Sequence, residues 1–245
     1  MATADTPPIN GDNLPAASDA SESPFDFGEH RRKAVDRYRE VRERFDECAQ
    51  AVRAVLRSVL DEERIKVQIV EARGKGVQSF GEKAEKAEEA DANRPRYPEP
   101  VRDITDLAGV RVIVYLLDQL DQVNALIYRE FDVLEKGLPR GVLGGGGYQS
   151  THYLVKFKAP RSELPEYERF CNLTVEVQVR TVLQHGWAEI EHGIVYKPEV
   201  PVGKEIRTRL LEIAGALRMA DREFQRVDSD SKKESSVEGP SKPAA

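Results

Sequence analysis

Residues 174–180 read Thr-Val-Glu-Val-Gln-Val-Arg, a strict alternation of valine with polar residues. Because side chains along a β-strand point alternately to its two faces, this segment predicts a strand with Glu176, Gln178 and Arg180 on one face. Three polar side chains on one face of an interior strand indicate a polar cleft. A glutamate there can act as a general base or a metal ligand, with an arginine close by to orient it. The alternative is an amphipathic strand whose polar face is only solvated.

Four further segments have the β-branched, alternating pattern of strands: 66–70, 110–116, 153–158 and, more weakly, 131–134. Helical periodicity separates several of them, at 78–90, 120–129 and 181–192. This order predicts an α+β domain in which a mixed sheet of about five strands is flanked by helices.

Two long amphipathic stripes enclose these segments. From Ala34 to Val59, and again from Ile206 to Phe224, apolar residues recur at steps of three and four, which predicts a long helix at each end of the domain. The first of these helices is expected over roughly 30–60. Both stripes could pack on the domain itself or on a second subunit.

The charge of the chain is uneven. There are 37 Lys and Arg against 43 Asp and Glu, a net charge of −6, and residues 1–28 contain five acids but no Lys or Arg. Residues 1–28 and 228–245 have few large apolar residues, so we expect two disordered tails around a neutral folded domain over 29–227. The chain has neither an apolar run that could span a membrane nor an N-terminal signal pattern, which predicts a cytoplasmic protein.

The segment 73–86 follows a predicted strand, opens a predicted helix and is rich in basic and small residues. Gly74 and Gly76 let the backbone approach an anion, and Ser79 is an acceptable helix N-cap. The lysines of the helix lie three residues apart on one face. We predict a polyphosphate grip formed by Arg73, Lys75, Lys83 and Lys86. Glutamates alternate with these lysines, so the alternative is a solvated charged helix.

Asp106 lies at the end of a loop, and Gly109 leads from it into a strongly apolar strand. Magnesium is commonly held by only one or two carboxylates together with substrate phosphates, so one aspartate at the mouth of a sheet is sufficient in principle. Arg111 interrupts the apolar run and must face away from its valine neighbours. The alternatives are a turn cap for Asp106 and a structural ion pair for Arg111.

A run of four glycines, 144–147, precedes Tyr148. Such a run has a high backbone entropy and suits a loop that moves over a ligand, on which Tyr148 could stack as it would on a base. A bare glycine run is also common in linkers.

Several other nucleotide and metal chemistries are excluded by their missing motifs. The chain has no G-x-x-x-x-G-K-[ST] phosphate-binding loop and no pair of histidines with zinc-protease spacing. None of its four histidines is followed by aspartate, which argues against a His-Asp phosphohydrolase. The two cysteines stand too far apart in sequence to indicate a cysteine-based zinc cluster.

Taken together and in order, these motifs resemble the synthetase domain of the RelA/SpoT family, the alarmone synthetases. The resemblance covers roughly residues 30–200 and rests on five motifs: Arg73-x-Lys75 with Ser79 and Lys83, Asp106-Leu-Ala-Gly-Val-Arg111, Gly147-Tyr-Gln-Ser-Thr-His152, Glu176-Val-Gln-Val-Arg-Thr181, and Trp187-Ala-Glu-Ile-Glu-His192 with Tyr196-Lys197. With its short length, the chain looks most like a small single-domain synthetase. The resemblance implies a nucleotidyltransferase-like synthetase fold and, as in small synthetases of the family, a tetramer formed through terminal helices.

The resemblance also implies an activity, a GTP or GDP pyrophosphokinase that uses Mg²⁺ to transfer pyrophosphate from ATP to the 3′-hydroxyl of GDP or GTP, giving (p)ppGpp. It assigns catalysis and metal binding to Asp106 and Glu176, with Glu176 either activating the hydroxyl or helping to hold the metal. The implied ATP-binding residues are Arg73, Lys75, Ser79, Lys83, Lys86 and Arg111. The implied acceptor-binding residues are Tyr148, Gln149, His152, Gln178 and Arg180.

The chain departs from the family pattern at two places. Gly76 stands where the family usually has serine, and the glycines at 144–147 replace a Pro-Lys-x-Asn stretch that helps to hold the acceptor. The second departure motivates an alternative, a toxin-type relative that pyrophosphorylates adenine nucleotides or tRNA 3′ ends, although a neutral domain lacks the basic excess typical of tRNA binding. A third alternative is a nucleotide-binding regulator without catalysis, against which the presence of both Asp106 and Glu176 argues.

Overall fold

A mixed five-stranded sheet lies at the centre of the protein and is flanked by helices. The computed structural model describes residues 25–137, 148, 150–196 and 203–237. In chain order the elements are α1 (Phe27–Glu62), β1 (Val67–Gly74), α2 (Val77–Ala84), α3 (Pro100–Asp103), β2 (Ala108–Val114), α4 (Leu117–Glu130), β3 (Phe131–Gly137), β4 (Thr151–Phe157), α5 (Ala159–Ser162), α6 (Pro165–Glu168), β5 (Val175–Thr181), α7 (Val182–Glu191), a π-helical turn (His192–Tyr196) and α8 (Lys204–Val237).

The strand order is β1-β2-β5-β4-β3. The central pair β2 and β5 is parallel, whereas the three other pairs are antiparallel, so the predicted α+β fold with a mixed five-stranded sheet is confirmed. In the central pair Gly109 lies opposite Glu176, and Arg111 lies opposite Gln178. The loop before β2 and the polar residues of β5 are therefore neighbours.

The alternation along the strands separates the sheet into an apolar face and a polar face. Val110, Val177 and Tyr153 are fully buried in the main core, together with residues of α1 and α4. Residues at the intervening positions, among them Arg111 and Glu176, are on the opposite face. The polar residues that the pattern placed on one face of β5 do share a face.

Helix α1 covers the outer edge of β1, which is an edge strand of the sheet. Arg53 Nε donates to the Val70 carbonyl over 3.1 Å, Gln50 Nε2 donates to the Ala72 carbonyl over 3.1 Å, and the Gly74 amide donates to Asp46 Oδ1 over 2.7 Å. We call Arg42, Asp46, Gln50 and Arg53 the edge row of α1. Because an uncovered strand edge can pair with other chains, the edge row protects β1 from such pairing and also binds the helix to the sheet.

Three boundaries differ from those predicted. Helix α1 begins at Phe27 and is capped by Asp26, whose side chain accepts from the Glu29 amide, so the expected disordered tail of 1–28 is too long. Helix α8 continues to Val237, so residues 228–237, expected to be disordered, are helical. Ion pairs one turn apart support this last stretch, for example Lys232 with Asp228.

Helix α2 ends at Ala84, six residues earlier than predicted. The chain then turns so that Ala87 pairs with Pro95, and the Arg96 amide donates to the Lys86 carbonyl over 2.8 Å. This short bridge and the prolines that follow prevent the helix from continuing. In the part of the chain that the structure describes, no helix is long and apolar enough to cross a membrane.

Candidate active site

Asp106 lies between two lysines from different elements. Its Oδ2 is 2.8 Å from Lys75 Nζ, just after β1, and its Oδ1 is 3.1 Å from Lys83 Nζ on α2. All three side chains are largely buried. Burial alone would raise the pKa of the Asp106 carboxyl, but the charges of Lys75 and Lys83 hold that pKa below its usual range. The aspartate is therefore ionised at neutral pH.

The backbone around Lys75 ties the two loops of this cluster together. The Lys75 amide donates to the Leu107 carbonyl over 2.8 Å, next to Asp106 in sequence. The strands that carry the two loops are neighbours in the sheet, with Gly74 opposite Ala108. The contact between the basic segment and the aspartate loop thus follows from the pairing of β1 with β2.

Glu176 is held by a chain of hydrogen bonds on the polar face. His152 Nδ1 is 3.0 Å from Glu176 Oε1, and Gln178 Nε2 donates to Glu176 Oε2 over 2.8 Å. On the far side of the imidazole, Ser150 Oγ is 3.1 Å from His152 Nε2. Arg180 in turn donates to the side-chain oxygen of Gln178. Both oxygens of Glu176 therefore have fixed partners from β4 and β5.

Glu176 is also ionised. Burial would raise the pKa of its carboxyl, but the hydrogen bond and charge of His152, together with Gln178, keep the pKa below its usual range. Asp106 lies just before Gly109, the partner of Glu176 in the sheet, and its negative charge acts on the pKa of Glu176 in the opposite direction. Two ionised acids at neighbouring positions are a suitable arrangement for a metal, a proton acceptor, or both.

Arg111 and Arg180 give the same face positive charge. Arg111 Nη1 lies 3.4 Å from Glu189 Oε1 on α7 and 3.7 Å from Glu71 Oε2 on β1. Burial, and next the charge of Arg111, lower the pKa of Arg180 to about 10. Burial and these two arginines also lower the pKa of His185. An anionic ligand on this face would relieve that repulsion.

Of the other residues predicted to bind ATP, some lie apart from the Asp106 cluster. Arg73 is exposed and lies opposite Gly109, on the same sheet face as Glu176. Ser79 is exposed inside the first turns of α2, whose N-cap is Gly76, so the prediction of Ser79 as the N-cap is wrong. Lys86 lies beyond the end of α2, so it does not share a helical face with Lys83.

Tyr148 differs most from its expected environment. Its side chain is only 6% exposed and packs in a small cluster with Trp187, Leu210 and Ala214. Its hydroxyl is 3.5 Å from Thr181 Oγ1. The expectation of a ring available for stacking is therefore not met in this structure, because α7 and α8 offer the ring an apolar site. Gln149, the next predicted acceptor residue, lies outside the described residues.

One oxygen of Asp106 is suited to bind magnesium. Among the described residues no group of three or more acidic, histidine or cysteine side chains could hold a metal alone. Asp106 Oδ1, although close to Lys83, is buried and makes no aligned hydrogen bond, so this anionic oxygen retains acceptor capacity. One such oxygen supplemented by substrate phosphates matches the preference of Mg²⁺.

Sequence reasoning missed two members of the site. Ser150 was seen only as part of a motif, yet it lies two residues before His152, and this spacing in an extended segment puts both on one side. Glu189 stands in the motif from Trp187 to His192, but its role could not be predicted because its partner Arg111 is 78 residues away in sequence. Only the packing of α7 on the polar face brings these two together.

Comparison with known proteins shows which family this chain is similar to. The region found in RelA and SpoT proteins matches residues 72–200. The chain is 24% identical over 170 residues to the GTP pyrophosphokinase YjbM of Bacillus subtilis (strain 168), which covers 68% of this chain and 74% of that protein. It is 30% identical over 119 residues to the GTP pyrophosphokinase YwaC of the same organism, covering 45% of this chain and 51% of that protein.

Solved structures show the same fold. Small alarmone synthetase 1 from Bacillus subtilis, bound to its product pppGpp, matches with a TM-score of 0.61 at 22% identity, over 82% of this chain and 99% of that one. A GTP pyrophosphokinase family protein from Streptococcus pneumoniae matches with a TM-score of 0.63 at 21% identity, over 83% of this chain and 98% of that one. With the profile match spanning more than half of its length, the chain belongs to the RelA/SpoT family.

Proposed function

We propose that this protein is an ATP-dependent GTP or GDP pyrophosphokinase, which transfers the pyrophosphoryl group of ATP to the 3′-hydroxyl of GDP or GTP to make (p)ppGpp. The observation that carries the proposal is the pair of ionised carboxylates, Asp106 just before β2 and Glu176 on the adjacent strand β5, with Lys75 and Lys83 on Asp106. Membership of the RelA/SpoT family, and the activity named for its relatives YjbM and YwaC, support the same reaction.

The basic residues of the site are proposed to hold the phosphate chain of ATP. Lys75 and Lys83 come from two elements and meet at Asp106, so a phosphate chain could contact both ammonium groups. Arg111 lies on the same sheet face as Glu176 and is placed to bind ATP once its exposed partner Glu189 moves away. Arg73, Ser79 and Lys86, which lie apart from this cluster, remain proposed ATP contacts.

Glu176 is proposed to accept the proton of the attacking 3′-hydroxyl as its oxygen bonds to the β-phosphorus and AMP leaves. The hydrogen bonds from His152 and Gln178 keep the carboxylate ionised and fix its orientation, as a general base requires. Asp106, with Glu176 as a second ligand, would hold Mg²⁺, which when bound offsets charge on the transferred phosphates. Gln178, Arg180 and His152, which are hydrogen-bonded in one chain with Glu176, are proposed to contact the acceptor.

The base of the acceptor is proposed to stack on Tyr148. Tyr148 can stack on a guanine only after its ring leaves the cluster with Trp187 and Leu210. Gln149 and the glycines of 144–147, which belong to the same segment, lie outside the described residues. GDP and GTP are proposed because of the family, and the experiment below includes the other acceptors.

Self-association through the terminal helices is also proposed. Helix α8 exposes a set of large apolar residues: Ile206, Ile213, Met219, Phe224 and Val227. Leu210 and Ala214, which flank this set on the helix, pack inward. An apolar stripe that extends beyond the part buried in its own domain suits an interface between copies. Light scattering coupled to size exclusion would report a tetramer if this proposal is correct and a monomer if it is not.

The substrates proposed, ATP and GDP or GTP, support a cytoplasmic location.

The decisive experiment separates labelled products by thin-layer chromatography. The pure protein is incubated with Mg²⁺, γ-labelled ATP and, in separate reactions, GDP, GTP, GMP, ADP and bulk tRNA. Label on GDP or GTP supports the proposal, and its loss on chelation of Mg²⁺ supports the metal. Label on ADP or tRNA replaces it with a toxin-type activity, and transfer to no acceptor replaces it with a non-catalytic nucleotide binder.

A further inference from the structure

The main-chain carbonyl of Lys75 accepts two hydrogen bonds from helix α1. Tyr38 Oη donates to it over 2.8 Å, and Arg42 Nε donates over 3.2 Å. The two donors are one helical turn apart, so they approach the carbonyl from the same face of α1. A carbonyl has two lone pairs, and here both have a protein donor.

Tyr38 is built into this position rather than resting near it. Its side chain is 0% exposed, and its ring stacks on Phe80 of α2 with centroids 4.2 Å apart. Burial raises the pKa of Tyr38 to about 12, so the hydroxyl remains a donor at any working pH. The tyrosine thus joins α1, the Lys75 backbone and the helix that carries Lys83.

The two backbone amides that precede this carbonyl are also bonded. The Lys75 amide donates to the Leu107 carbonyl over 2.8 Å, and the preceding amide, of Gly74, donates to Asp46 Oδ1 over 2.7 Å. The side chain of Lys75 ends on Asp106. Movement of this short stretch would therefore shift the ammonium group relative to the carboxylate.

Coverage of the strand edge does not explain the doubled contact. Along β1 the carbonyls of Val70 and Ala72 each accept from one side chain of the edge row, Arg53 and Gln50 respectively. Lys75 comes after the last residue of β1, Gly74, yet its carbonyl accepts from two side chains. The additional donor is placed at the residue that carries a site lysine.

We infer that Tyr38 and Arg42 are positioning residues for Lys75, which set the place of its ammonium group beside Asp106 through its main-chain carbonyl. This role rests on the proposed function, because it matters only if Lys75 holds the phosphates of ATP. A displacement of about 1 Å at a group that orients the reacting phosphates can reduce the rate about a hundredfold. The acceptor side of the site, built on β4 and β5, does not depend on these contacts.

The test uses Tyr38→Phe, which keeps the ring, and Arg42→Met, which keeps the apolar stem, singly and together in the full chain. The matched control is Arg53→Met, which removes the same kind of Nε contact from the same helix to a β1 carbonyl, away from Lys75. Steady-state rates are measured with ATP and GDP varied separately. Affinity for a non-hydrolysable ATP analogue and the thermal midpoint Tm are measured for every variant.

We expect each single change to lower kcat/KM for ATP about 3-fold and the double change about 20-fold or more, because one donor partly compensates for loss of the other. KM for GDP should stay within about twofold of the wild type, and so should kcat/KM for ATP in Arg53→Met. Arg42→Lys, which keeps a donor, should recover most of the loss. Analogue affinity should fall in the double variant and not in Arg53→Met, even where Tm falls equally in both.

The inference would be overturned if the double variant had the same kcat/KM for ATP as the wild type. It would also be overturned if Arg53→Met lost as much kcat/KM for ATP as the double variant, or if the KM for GDP of the double variant rose as much as its kcat/KM for ATP fell. If the wild type transfers no label to any acceptor, the proposed function fails by itself. The analogue affinities then decide the inference, since unchanged binding by the double variant overturns it. If the double variant does not fold, kcat/KM for ATP is compared among the single variants. A loss in Arg42→Met that is absent from Arg42→Lys and Arg53→Met supports the inference, and an equal loss in Arg53→Met overturns it.

Discussion

Replacing Glu176 with glutamine removes a negative charge from the site but keeps a side chain of nearly the same shape. Glu176 accepts from His152 Nδ1 over 3.0 Å and from Gln178 Nε2 over 2.8 Å. The new amide can turn its oxygen to Gln178 and its NH₂ to His152, whose imidazole then takes the other tautomer. In that tautomer Nε2 donates to Ser150 Oγ, which is already 3.1 Å away.

Because no buried hydrogen-bonding group loses its partner, the free energy of unfolding of Glu176→Gln should change by about 1 kcal/mol or less. The rate should nevertheless fall about 10²- to 10⁴-fold, which corresponds to about 3–5 kcal/mol of transition-state stabilisation, because the proton acceptor is gone. Denaturant unfolding and kcat at saturating ATP and GDP measure the two effects separately.

Glu176→Ala is the matched comparison. It leaves His152 and Gln178 without an acceptor, so it should destabilise the fold by about 1–3 kcal/mol in addition to abolishing turnover. A glutamine variant that keeps a tenth or more of wild-type kcat would refute the role of Glu176 as base. A glutamine variant as unstable as the alanine variant would refute the proposed rearrangement of hydrogen bonds.

Three further predictions concern stability. Tyr148→Ala should lower the free energy of unfolding by about 3 kcal/mol, because the ring is only 6% exposed and packs against Trp187, Leu210 and Ala214. Denaturant titrations measure this change. A change near zero would mean that the ring lies outside the cluster for most of the time. Burial raises the pKa of Asp221 to about 6, above its value in the unfolded chain, so the folded state loses stability as pH rises from about 4 to about 6. Asp221→Asn should therefore raise Tm at pH 7.5 and leave it nearly unchanged at pH 4, and an equal gain at both would contradict the assignment. Arg64, exposed just after α1, has a φ of 57°, a backbone conformation that glycine adopts without strain. Arg64→Gly should therefore raise the free energy of unfolding by about 1 kcal/mol in denaturant titrations. A decrease would show that contacts of the arginine side chain contribute more to stability than the relief of backbone strain.

The sheet, and the positions of Asp106 and Glu176 on it, could be predicted because they depend on local patterns. The alternation of valine with polar residues in 174–180 is visible in the sequence, and the structure puts Glu176, Gln178 and Arg180 on one polar face. Asp106 was predicted from its place before an apolar strand, and the pairing of β1 with β2 brings it to Lys75.

Other features depend on contacts between distant segments. The burial of Tyr148 needs Leu210 and Ala214 of α8, about 60 residues later, to pack beside it. The early end of α2 depends on the bridge between Ala87 and Pro95, because the helical periodicity itself continues beyond Ala84. The extension of α8 to Val237 rests on ion pairs in a stretch with few apolar residues, which periodicity does not report.

The edge row of α1 also acts as a ruler for the insertion and deletion of residues. Arg42 and Arg53 are eleven residues apart on the helix and contact carbonyls that are five residues apart, those of Lys75 and Val70. Eleven helical residues and five strand residues both span about 16 Å, since the rises per residue are about 1.5 Å and 3.3 Å. Adding one residue between the two arginines would rotate one half of the helix about 100° relative to the other, so no shift along β1 could restore both contacts. Changes of length in this family member should therefore be excluded from the middle of α1 and confined to its N-terminal turns or to the connection before β1.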